Sequence, residues 1–290
     1  MRPLLLALPL AFAGARPPMA PPTAALAALR TADSTIAQIA DQRSLGDALA
    51  TALASDARMP ARPNGWVVGR DSVLARIRAI GEMARASAGW HTIRYGVSAD
   101  GQHGFSFGFL HVTNRGTRSQ WQKYMAYWAI DAGQWHMLAF KRAPVDSGTP
   151  DLTLRAPSLP TTQVAPRASD ATSLASLKAA EFGFSDRAAE VGLRAAFAEK
   201  GSADAVNMGR GPAYTTGAEA IAALVSVNDP GPKSTLVWGA DHAIVASSGD
   251  LGITFGIIRE RGAAPDAPGF PFFTIWRRPG GKGEWKYVAE

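Results

Sequence analysis

At 290 residues the chain is long enough for two domains with separate cores, and 47% apolar with 19% charged residues excludes a wholly disordered chain. The net charge of +6 does not mark a nucleic-acid partner, because the basic residues are scattered and crowd only at Arg277, Arg278, Lys282 and Lys286. Cysteine is absent, which excludes disulfides, thiolate metal sites and a cysteine nucleophile.

The chain opens with Met1-Arg2, an apolar run from Leu4 to Ala15, and an A-x-A site at Ala13-Gly14-Ala15. Residues 1–15 therefore read as a signal peptide, and the expected location is secreted or periplasmic. The run is shorter than the roughly 18 apolar residues of a spanning helix, and no other segment is longer, so no integral membrane segment is expected after cleavage. An Ala-rich helix is expected from Pro22 to Gln42, with Leu26, Leu29, Ile36 and Ile39 on one stripe. Ser44 and Asp47 form a capping box that opens a second helix, and a third runs from Arg70 to Ile80. Strands rich in aromatic and β-branched residues follow near 90–98, 104–113, 122–131 and 134–142. A stretch rich in Pro, Ser and Thr comes next, in which Asp151–Leu154 could add a short strand. Beyond it, Ser185 or Asp186 can cap a helix reaching Glu199, and another helix spans Ala218 to Val227. The last strands lie near 235–246, 251–260, 270–278 and 284–289.

The second series repeats the first. Shifting the chain by 148 residues puts Leu45 on Leu193, Asp56-Ala57 on Asp204-Ala205, Arg62 on Arg210, Gly69 on Gly217, Trp90 on Trp238 and Trp128 on Trp276. About 17 identities fall in roughly 97 ungapped positions between Ala32 and Trp128. A two-residue insertion in the last turn then sets Trp135 on Trp285. The boundaries that follow are a first domain at 22–143, a linker at 144–172 and a second domain at 173–290. Helices followed by an antiparallel meander make each copy α+β.

Asp204-Ala205, the helix start Gly217-Ala218-Glu219-Ala220-Ile221 and the closing Trp276-Arg277 to Trp285-Lys286 resemble the NTF2-like superfamily, in particular its SnoaL-like branch. The first copy is the more diverged, with Asp71 as its helix-start acid. The resemblance implies two tandem cone-shaped α+β barrels, each with three helices packed in a bent antiparallel sheet, often with a ligand cavity at the open end. It also implies that the two copies could pair through their sheets as an intramolecular pseudo-dimer.

The fold does not select an activity. Asp56, Asp204, Asp71 and Glu219 are all expected at helix ends, where acids serve the helix dipole or a turn. Arg62 with Trp66, and Arg210 with Tyr214, place a cation and an aromatic before the third helix of each copy, a pattern that could line a cone mouth and hold a small apolar or acidic ligand. His111 and His136 lie on expected strands and could point into the first cone. No metal-ligand spacing, phosphate loop or dinucleotide fingerprint occurs, so no metal and no cofactor is expected. Trp90, Trp128, Trp238 and Trp276 fit cores, whereas Trp121 lacks a counterpart and suits an exposed contact. The function expected is a cofactor-independent small-ligand-binding or accessory module. Its alternative is an isomerase or lyase of the ketosteroid-isomerase or SnoaL-like kind, acting on a small apolar carbonyl compound.

Overall fold

The computed structural model describes residues 22–61, 63, 65–79, 81, 85–113, 119–168, 170–209, 211–264 and 267–290. The expected leader and its cleavage site lie outside them.

The first unit runs α1 (Pro22–Gln42), α2 (Leu45–Ala52), β1 (Leu53–Ala61), β2 (Gly65–Val68), α3 (Arg70–Ala79), β3 (Ser87–Val97), β4 (His103–Thr113), β5 (Gln120–Asp131) and β6 (Gln134–Pro144). Its sheet has the order β2-β1-β6-β5-β4-β3. The second unit repeats the plan with α4 (Ala171–Lys200), β7 (Gly201–Asn207), β8 (Thr215–Thr216), α5 (Ala218–Val225), β9 (Leu236–Val237), β10 (His242–Val245), β11 (Leu251–Glu260), β12 (Phe270–Arg277) and β13 (Lys286–Ala289). Its order is β10-β11-β12-β13-β7-β8, with β9 paired to β11. Each unit is thus helices first and a meander afterwards. Both sheets are mixed, because β1 lies parallel to β6 and β7 parallel to β13 while the meander strands are antiparallel.

Local chemistry explains most boundaries. Ser44 accepts the Asp47 N–H at 3.0 Å and starts α2. The matching position in the second unit is Gly192, at φ 81 and ψ 164, so α4 kinks there instead of ending. Ser185 and Asp186 therefore do not cap a helix. Asp170 does, accepting the Thr172 N–H, while Ser185 is buried and accepts the Trp238 N–H at 3.0 Å. Asp56 and Asp204 lie on strands β1 and β7, not at helix ends, because α2 and α4 stop earlier. Asp71 and Glu219 do sit in the first turns of α3 and α5, where the free N–H groups favour them. Residues 151–154 form no strand; the connector instead runs beside β3, bonding Arg155 N–H to Ile93 O and Ser158 N–H to Tyr95 O.

Each sheet buries both faces, which is why β4 and β11 read as nearly continuous apolar runs. One face packs on its own helices, around Leu29, Trp90 and Trp128 in the first unit and Leu177, Phe184 and Trp276 in the second. The other faces meet each other. Phe105, Phe107, Phe109, Met125 and Tyr127 share one apolar cluster with Leu251, Ile253, Phe255, Phe273 and Ile275. Gly108 and Gly256 occupy matching places where a Cβ would lie 2.0 Å from the carbonyl oxygen of His91 or Gly239, so no larger residue fits either bend.

Polar contacts also cross the cluster, and one pair of them is related by the repeat. Tyr214 places its hydroxyl 2.7 Å from Gly108 O and 2.6 Å from Tyr124 O. Its repeat counterpart Trp66 donates Nε1–H to Gly256 O at 3.3 Å. Asp100 accepts from Ser248 N–H and Ser247 Oγ–H, and Asp250 accepts from Ala99 N–H. Arg94 binds Asp204, and Lys123 donates to Met208 O and Ala213 O.

Candidate functional site

The site residues expected from sequence do not converge. Trp66 and Tyr214 spend their polar atoms on the opposite unit's backbone and their rings on Phe255, Phe107 and Phe109. Arg62 and Arg210 lie outside the described residues. His111 packs its ring 4.6 Å from that of Trp121, and the ring of His91 lies 5.6 Å from the same indole. Trp121 is therefore half-buried against the inter-unit cluster instead of standing free. His136 stands apart on β6, with Nδ1 buried and unpartnered. Among the described residues, no three metal-ligating side chains gather, and no helix is long and apolar enough to cross a membrane.

The groups that do converge are carboxylates inside the units. Glu181 projects from α4 into the second unit and is fully buried. It accepts Trp238 Nε1–H at 2.9 Å on one oxygen, and Trp276 Nε1–H at 3.0 Å with the Thr254 hydroxyl on the other. Burial pushes its pKa up to about 7, against the pull of those three donors. Its counterpart under the 148-residue shift is Asp33 on α1, bonded by Thr92 and by Tyr95 at 2.8 Å, and pushed by burial to about 6. Asp is one methylene shorter than Glu. Asp33 Oδ1 and the Nε1 of Trp90, the counterpart of Trp238, are accordingly both buried and short of a well-formed hydrogen bond, although the indole N–H is near enough to favour the Asp33 carboxylate.

What surrounds the two acids differs. In the first unit Trp90, Tyr95, Tyr124 and Phe140 close around Asp33, with Trp90 4.6 Å from Tyr124 and 5.9 Å from Phe140, ring to ring. Past the two-residue insertion, Phe140 corresponds to Glu290, and Tyr95 corresponds to Ala243. Two large side chains are thus replaced by a carboxyl group and a methyl. The second unit holds a cavity of about 630 Å³, lined by Glu181, Glu290, Asn207 and Lys141 among Phe184, Phe197, Trp238, Phe272 and Phe273.

Glu290 accepts Asn207 Nδ2–H at 3.1 Å. Burial raises its pKa; Asn207 and Lys141 pull it down and Glu181 adds to the rise. Lys141 belongs to β6 of the first unit, crosses to the second, and donates Nζ–H to Phe273 O at 3.1 Å, lying 4.2 Å from that ring's centre. Burial lowers its pKa and Glu290 partly restores it. The cavity therefore offers two carboxyl groups whose pKa values burial raises, one amine whose pKa burial lowers, and aromatic walls for an apolar body.

Sequence reasoning confined to helix ends and strands passed over Asp33 and Glu181. The signal was available: Asp33 interrupts the buried stripe Leu26, Leu29, Ile36, Ala40, and the repeat sets an acid on an acid there. Lys141 had no such signal, because its role depends on how the two units pack.

No protein-family model and no curated protein sequence matches the chain. Solved structures do. The chain is similar to an NTF2-like protein of unknown function from Pseudomonas putida, at 16% identity over 43% of this chain and 89% of that one, with a TM-score of 0.35. It is similar to an NTF2-like protein with a cystatin-like fold from Novosphingobium aromaticivorans, at 18% identity over 42% and 83%, with a TM-score of 0.31. It is also similar to a protein of unknown function with a cystatin-like fold from Nostoc punctiforme, at 13% identity over 42% and 92%, with a TM-score of 0.32. Each alignment takes up about one unit's share of this chain and most of the other.

Proposed function

We propose that the second unit is a cofactor-independent binding site for a small, largely apolar carbonyl compound, and that the first is its filled counterpart. The observation that carries this is the placement of Glu181, Glu290 and Lys141 around one cavity of about 630 Å³ with aromatic walls. Such walls take up an apolar body, and a few convergent polar groups fix its orientation. The two units act together as an intramolecular pseudo-dimer, in an exported protein.

Binding alone would make the protein an accessory module. The carboxyl groups favour a second reading, an isomerase or lyase that moves a proton beside the carbonyl. Among the described residues, Glu181 has three donors fixing its oxygens and Glu290 has one, from Asn207, so Glu290 is the group better able to exchange a proton with a ligand. Two carboxyls in one low-dielectric site resist joint ionisation, which keeps one protonated near neutral pH.

The test uses 2-acetylnaphthalene, with binding followed by calorimetry and methyl-proton exchange in D₂O followed by NMR. Saturable binding supports the site. Exchange above the buffer rate, lost in Glu290→Gln, supports the catalytic reading; binding without exchange leaves the accessory module, and no binding overturns the proposal.

A further inference from the structure

Lys141 is the cation at a cavity whose other titratable groups are Glu181, Asp229, Glu260 and Glu290. It comes from the first unit, although every other residue lining the cavity belongs to the second. Among the described residues, no tyrosine lines this cavity to donate a hydrogen bond to a carbonyl oxygen. The group able to activate a carbonyl carbon is instead a primary amine, held against the face of Phe273 by the hydrogen bond to its backbone oxygen. Glu290 is near enough to be felt electrostatically by that amine, and it is within reach of Asn207.

We infer that Lys141 is a nucleophile that forms an imine with the carbonyl compound bound in the second unit. The inference rests on the proposed occupancy of that cavity. Neutral Nζ attacks the carbonyl carbon, and the π electrons move to oxygen, giving a carbinolamine after proton transfer from nitrogen to oxygen. Glu290 then protonates the hydroxyl group, which leaves as water while the nitrogen lone pair closes the C=N bond. The protonated imine is an electron sink, and carboxylate Glu290 can next take a proton from the adjacent carbon. No oxidant, reductant or cofactor enters this sequence. Burial, which lowers the amine's pKa, supplies the neutral form that attack requires. The filled unit thereby acquires a role: it presents Lys141 to its neighbour's cavity.

The experiment treats the full-length protein with 2-naphthaldehyde and sodium cyanoborohydride at pH 7.5, and maps the reduced adduct by peptide mass spectrometry. Lys123 serves as an internal control, since burial lowers it to about 8 as well, yet it does not line the cavity. Adduct on Lys141 exceeding that on Lys123 and on the exposed lysines by about tenfold, and absent in Lys141→Arg, is the expected result. An adduct spread evenly over the lysines overturns the inference. Binding of the aldehyde by calorimetry without adduct at Lys141 also overturns it, but leaves the binding site standing. Failure of both 2-naphthaldehyde and 2-acetylnaphthalene to bind overturns the site and the inference together.

Discussion

The two units share one plan and differ at their centres. In the first, Asp33 is buried among Trp90, Tyr95, Tyr124 and Phe140; in the second, Glu181 lines a cavity whose wall includes Glu290 where the first unit has Phe140, and Ala243 stands where Tyr95 does. A carboxylate repeated in both is a structural lock between helix and sheet, since it collects the donors that line each interior. What is not repeated, Glu290 and the incoming Lys141, is where function should be sought.

That comparison can be broken first at the lock. Glu181→Leu would leave the Trp238 indole N–H without its acceptor, while Trp276 keeps Thr254 Oγ and Thr254 keeps a longer contact to Thr274 O, at a cost of about 2–4 kcal/mol. Asp33→Leu strands Tyr95, while Thr92 keeps the Tyr124 hydroxyl, and should cost about 1–2 kcal/mol. Chemical denaturation of both variants checks the order, and equal losses would contradict it.

The next effect is in pH. The Glu181 pKa, about 7 when folded, lies above its ordinary value of 4.5, so the folded protein holds a proton that the unfolded chain releases between those values. Its contribution to stability is fully present below about 4.5 and is lost as pH rises through 7. Wild type should therefore lose stability relative to Glu181→Gln from pH 5 to 8 in parallel thermal melts; a constant difference would contradict the assignment.

A smaller effect tests the seam. Tyr214→Phe removes a hydroxyl shared between Gly108 O and Tyr124 O and should cost about 1–2 kcal/mol. Trp66→Phe removes one longer bond to Gly256 O, and through that bond should cost about 0.5–1 kcal/mol. The smallest change sharpens the comparison: Asp33→Glu lends the first unit the longer acid, which can reach Trp90, and should gain about 0.5–1 kcal/mol. A loss in that variant would show that Tyr95 and Phe140 leave no room.

The fold was legible because a duplication states it twice: Trp90 with Trp238 and Trp128 with Trp276 mark equivalent buried positions, although Trp238 lies just past β9 where Trp90 is within β3. The kink at Gly192 was not, since a glycine opposite a capping serine can end a helix or bend one. Site residues were legible only in part. Trp66 and Tyr214 have the chemistry of ligand contacts, but a cation-and-aromatic pattern does not say which surface it faces, and here the aromatics face the other unit. Asp33 and Glu181 could have been found as charges on a buried helical stripe. Lys141 could not, because its partner surface lies more than a hundred residues away in the chain.

The central claim is that one unit is open and the other filled. Calorimetric titration of 2-acetylnaphthalene into wild type, Glu290→Phe and Asp33→Asn tests it most directly. One site per chain is expected, abolished when Glu290→Phe imports the first unit's residue and unchanged in Asp33→Asn; two sites, or binding that survives Glu290→Phe and is lost in Asp33→Asn, would contradict it.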